Sequence, residues 1–125
     1  MPPSRLIPAV ALVAVLGLPA AAVPLEWHGP PATAAATKRV RVVDDSFSPK
    51  RLRVARGTKI KWVWSRRNDH LHDVYLDRRP RRARRFHSPP AVSSATFRRR
   101  LRRPGVYKVL CTFHEGMRLR IAVRR

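Results

Sequence analysis

Between residues 59 and 64, Ile60, Trp62 and Trp64 alternate with Lys59, Lys61 and Val63, and a two-residue period recurs along most of the chain from residue 38. That period places one set of side chains on a single face of a β-strand. No stretch from 38 onward sustains the 3.6-residue period of a helix. Residues 38–43 alternate basic and apolar side chains until Val43, and Leu52 and Val54 alternate with Arg51 and Arg53. Further strands are predicted at 72–76, weakly at 94–101, at 106–110 running up to Cys111, and at 119–123. Asp44-Asp45-Ser46, Arg56-Gly57-Thr58, Asn68-Asp69 and Pro104-Gly105 supply the turns between them. Seven to eight short strands with turns about every ten residues predict an all-β chain, an antiparallel Greek-key β-sandwich or barrel. Residues 77–93 depart from the pattern. Arg78, Arg79, Arg81, Arg82, Arg84 and Arg85 crowd together among prolines, which predicts a long, basic, partly mobile surface loop.

The start of the chain has a different character. Arg5, an apolar run over 7–18 and Ala20-Ala21-Ala22 predict a secretory signal over 1–22. The apolar run is short for a transmembrane helix. Left uncleaved, it would serve as an N-terminal anchor. Residues 23–37 are rich in Pro and Ala and predict a flexible linker, in which Ala34-Ala35-Ala36 offers a second cleavage position. The expected location is therefore outside the cytoplasm: periplasmic, extracellular or at the cell envelope. Residues 38–125 form one domain with a modest core. The 28 Lys and Arg against 7 Asp and Glu give a formal charge of +21. Such a field attracts acidic proteins, anionic membrane surfaces or nucleic acid, and it says nothing about fold. Few aromatics interleave with the arginines of 78–85 and no nucleic-acid-binding motif is present, which argues against nucleic acid as the partner.

Cys111 is the only cysteine, so an exported chain of this sequence has no intramolecular disulfide. A lone cysteine ordinarily packs as a small hydrophobe. Here His114 and Met117 follow it at intervals of three residues. Thiolate and thioether are soft ligands suited to copper, and imidazole suits copper as well. A fourth ligand has to come from a strand ending at the same pole as the 112–116 loop. His70 and His72 both stand where the third and fourth predicted strands meet. His28 and His87 sit in Pro-containing loops and read as surface histidines.

Residues 40–125 resemble the cupredoxins, above all the small plastocyanin- and amicyanin-like members. The resemblance runs in order through Phe47-Ser48-Pro49, Gly57-Thr58 leading into Ile60-Lys61-Trp62-Val63, His72-Asp73-Val74, Pro104-Gly105-Val106-Tyr107, and Cys111, His114 and Met117. It implies a mononuclear type 1 copper site cycling between Cu(I) and Cu(II). The implied ligands are His72, Cys111, His114 and Met117, with His70 the competitor for the first position. A site occupied on four sides leaves no vacant position for substrate, so the expected protein is an electron carrier and no enzyme, and a monomer. The basic surface would then steer an acidic redox protein as partner, either a cytochrome or a membrane oxidase or reductase. Copper carriage or buffering outside the cytoplasm is the second reading. Three positions depart from the family. Asp73 replaces an Asn whose amide ties the ligand loops together; as a carboxylate it can accept hydrogen bonds from the Thr112 region but donate none. Phe113 and Glu115 stand where the family favours Pro. An N–H at Phe113 directed at the Cys111 sulfur would favour Cu(I) and raise the reduction potential.

Overall fold

The two-residue period becomes strand along most of the region beyond the predicted linker. In a computed structural model, residues 3–5, 8–14, 17, 22 and 36–125 are described. The signal and linker expected at 1–22 and 23–37 fall largely outside them, as does His28. The unit Ala32–Arg125 carries eight strands. They are β1 (Thr37–Val43), β2 (Ser46–Ser48), β3 (Arg51–Ala55), β4 (Lys59–Trp64), β5 (Tyr75–Arg78), β6 (Thr96–Arg100), β7 (Gly105–Leu110) and β8 (Arg118–Arg124). Among the described residues there is no helix, and hence none long and apolar enough to cross a membrane.

The strands form two four-stranded sheets, ordered β2-β1-β4-β6 and β3-β8-β7-β5. Most neighbours are antiparallel, as expected, but β1 runs parallel to β4 and β3 parallel to β8. Both sheets are therefore mixed. Alternation sends one face of each strand inward. Val40, Val42, Ile60, Trp62 and Trp64 come from the first sheet, and Val54, Leu76, Tyr107, Val109, Leu119, Ile121 and Val123 from the second. The lysines and arginines between them remain at the surface, where their charge stays hydrated.

The segment after β5 is less free than its composition predicts. Ala83, Phe86 and Ser88 are buried. The Phe86 ring lies 5.6 Å from that of Trp62, and its carbonyl accepts the Leu76 N–H at 3.1 Å. Isolated bridges join His72 to Ala91 and Tyr75 to His87. One aromatic side chain among the arginines thus pins the segment to the core.

Three connections meet at one pole: the Asp44–Asp45 turn after β1, the 65–74 connection after β4, and the 111–117 loop between β7 and β8. The parallel register of β1 and β4, with Val42 opposite Trp64, brings the first two together. The pairing of Leu110 with both Tyr75 and Arg118 brings in the third.

Candidate metal centre

The 111–117 loop is closed on itself before any ligand is considered. The Cys111 N–H donates to the Met117 carbonyl at 3.0 Å, and the Met117 N–H to that of His114 at 3.4 Å. Gly116 adopts φ +78°, a left-handed conformation that lets the chain turn back into β8. Cys111 and Met117 are buried at the loop's two ends, and His114 reaches partly into solvent.

Cys111 Sγ lies 3.6 Å from His114 Nδ1. His72 is fully buried, and its ring lies 4.7 Å from that of His114, centroid to centroid. One ligand atom from each of His72, Cys111 and His114 falls within 4.8 Å of the others. Metal–sulfur and metal–nitrogen bonds of about 2.3 and 2.0 Å at about 120° separate S and N by about 3.7 Å. The spacing fits a single ion.

His72 is prepared for ligation by its other nitrogen. Nε2 lies 2.9 Å from Asp44 Oδ1, while Nδ1 is buried with no hydrogen-bond partner. A proton on Nε2, donated to the carboxylate, leaves the Nδ1 lone pair free for a metal. Asp44 also accepts the N–H groups of Asp69 at 2.9 Å and His70 at 3.2 Å. The bond from Asp69, then that from His72, lowers its carboxyl pKa to about 2. One carboxylate therefore ties the β1–β2 turn to the connection that carries His72.

Asp73 makes the second tie, as an acceptor. It receives the Thr112 N–H at 2.7 Å and the Thr112 hydroxyl at 2.6 Å, and His87 Nε2 lies 2.6 Å away. Burial works to raise the Asp73 pKa, but the bonds from Thr112 and His87 outweigh it and hold the value below the ordinary one. Burial pushes the Cys111 thiol up, while the backbone N–H groups of Asp73, Phe113 and His114 pull it back. Metal ligation requires the thiolate, so those amides favour the form that binds.

The structure separates the two candidate histidines. His72 joins Cys111 and His114, whereas His70 lies outside with Asp45 and the far side of the His114 ring. Sequence reasoning passed over Asp44, Asp45 and His87, taking the first two for turn residues and the third for a surface histidine. The available signal was scarcity. Of the few acidic residues, all but Glu26 and Asp77 stand in the three connections of this pole.

A β-sandwich that gathers a cysteine thiol and two imidazoles beside a buried methionine defines the class of small mononuclear copper proteins. The chain belongs to the plastocyanin/azurin family of copper-binding proteins, whose family model matches residues 36–124. Among solved structures, it is similar to a copper-containing nitrite reductase from Thermus scotoductus SA-01, at 26% identity and TM-score 0.62. That match covers 74% of this chain and 23% of the reductase, so this chain spans under a quarter of it. A reduced Cu(I) form of an amicyanin mutant is similar at 19% identity and TM-score 0.60, over 74% of this chain and 85% of that one. A purple cupredoxin from Nitrosopumilus maritimus is similar at 21% and 0.57, over 69% and 98%. The last two likenesses speak for the fold alone. No curated protein matches the sequence. Copper is the cofactor that family and donor chemistry agree on.

Proposed function

We propose that the protein carries single electrons outside the cytoplasm through one type 1 copper ion held by His72, Cys111, His114 and Met117. The observation that carries this reading is His72 Nδ1, a buried nitrogen with no hydrogen-bond partner, grouped with a thiol and a second imidazole. Leaving such an atom unsatisfied costs about 1–3 kcal/mol, which metal ligation removes. Bound copper supplies a one-electron couple tuned by the axial ligand and by the surroundings of the sulfur. The residues do the rest. Asp44 fixes the His72 tautomer, Asp73 locks Thr112 beside Cys111, and the closed loop holds Cys111 and Met117 in place. His114 offers a path to the surface, flanked by the exposed Phe113 and Leu71.

A set of four protein ligands favours electron transfer over catalysis, because it leaves no position for substrate. The nitrite reductase likeness covers a small part of that enzyme and brings no activity with it. The proposed partner is an acidic redox protein, a cytochrome or a membrane oxidase or reductase, drawn by the basic surface.

The visible spectrum of the Cu(II) protein tests the reading. Intense blue colour from thiolate-to-copper charge transfer is expected. Cys111→Ala and His72→Ala should abolish it, and His70→Ala should leave it. A colourless copper-loaded protein, or colour lost with His70 but kept without His72, would overturn the assignment.

A further inference from the structure

The imidazole of His114 has two faces. Nδ1 looks inward to Cys111, and Nε2 looks outward to a shallow open cleft lined by Asp45, Asp69, His70, Leu71 and Phe113. We infer that Asp45, His70 and His114 Nε2 form an outer site for a second divalent transition-metal ion, of the zinc or Cu(II) class. Asp45 Oδ1 lies 3.2 Å from His70 Nδ1 and 3.2 Å from His114 Nε2. The three ligand atoms all fall within 4.8 Å of one another. In a tetrahedral site with bonds of about 2.0–2.1 Å, neighbouring ligand atoms stand about 3.3 Å apart. Two of the three edges are therefore already in place.

Donor chemistry selects the ion. Two imidazoles and one carboxylate suit zinc or copper, whereas magnesium and calcium prefer all-oxygen sites. Three protein ligands leave a fourth position for water, as in open zinc sites. The exposed residues are also held in place. Asp44 accepts the His70 N–H, which anchors that residue to the same turn as Asp45. Asp45 itself sits at φ 63° in that turn, and the His70 ring stacks on that of His114 at 5.7 Å.

The outer site stands on these three side chains; its coupling to the buried centre rests on the copper reading above. With copper held at His114 Nδ1, a neutral ring would keep its one proton on Nε2. A zinc ion held at Nε2 would replace that proton, which would pass to solvent, so that His114 would serve both sites. Exchanging one positive charge for two beside the buried centre favours Cu(I) and raises the reduction potential. The outer ion also covers the exposed ligand edge.

Equilibrium dialysis of the copper-loaded full chain against zinc sulfate, with both metals counted, tests the site. Copper outranks zinc for a given donor set, so zinc should add without displacing it. We expect one zinc per chain beyond copper, with affinity reduced about tenfold or more in Asp45→Asn and His70→Ala. Both variants should keep the blue colour. The midpoint potential should rise with zinc in the unaltered protein and stay put in His70→Ala. Absence of zinc uptake by a blue protein, or equal uptake by His70→Ala, would overturn the outer site. Failure of the copper reading shows differently: a colourless copper protein that still takes up zinc through Asp45 and His70 leaves the outer site standing.

Discussion

Phe113 sits between Cys111 and His114 with a backbone N–H that proline in its place would lack. That amide, with those of Asp73 and His114, pulls the Cys111 thiol pKa down against the burial that raises it. Reduction leaves more negative charge on the thiolate, so a hydrogen bond to sulfur stabilises Cu(I) more than Cu(II). Phe113→Pro should therefore lower the midpoint potential. A differential of about 1 kcal/mol corresponds to about 40 mV for one electron. Redox titration of the two proteins decides the matter, and an unchanged or higher midpoint would sink the argument. At this scale the candidate ligands were legible because soft donors are rare and regularly spaced. The role of Asp73 was legible too, since a carboxylate can only accept, and it does so twice from Thr112. His87 was not, because nothing local in a Pro-containing loop says that its ring meets Asp73 fourteen residues away.

Strands were legible where packing demands one buried face; their partners were not. Alternation fixes which side chains point inward, but it is blind to the direction of the neighbouring strand. The parallel pairs β1·β4 and β3·β8 arise from crossovers that turn residues alone do not encode. The fourth predicted strand also shifts: regular pairing begins at Tyr75, while His72 makes only an isolated bridge to Ala91. That shift places His72 in the connection rather than in the sheet. At the far end of β7, Gly105 has φ +131°, and a Cβ there would lie 2.7 Å from Cγ of Pro80. Gly105→Ala is therefore strained in its backbone and collides with the segment after β5. We expect a loss of about 1–3 kcal/mol in denaturant unfolding, with the blue colour of the folded protein retained because β7 separates this end from the metal pole. A change below about 0.5 kcal/mol would show that the contact yields freely.

Across the molecule the charges are unevenly placed, which the formal +21 conceals. Asp44, Asp45, Asp69, Asp73 and Glu115 collect at the metal pole, where Arg66 and Arg67 share the 65–74 connection, while Arg82, Arg84, Arg85, Arg99, Arg100, Arg102 and Arg103 line a cleft with Tyr107 towards the other end. The six residues of β7 span about 20 Å between these regions. The Debye length is about 30 Å at 0.01 M salt and about 8 Å at 0.15 M. At low salt an approaching acidic partner senses the whole positive charge and is drawn in. At physiological salt it meets the His114 edge and senses chiefly the charges closest to it, among which Asp45 and Asp69 line the same cleft and oppose it. Electron exchange with an acidic cytochrome, followed by stopped flow, should therefore slow steeply as salt rises. Glu115→Gln combined with Asp69→Asn should speed it at physiological salt while leaving the blue colour intact, since neither side chain belongs to the proposed copper ligands. A rate indifferent to salt would remove electrostatic steering from the account. A rate that falls with salt but ignores the two substitutions would instead place the encounter at the arginine end, away from His114.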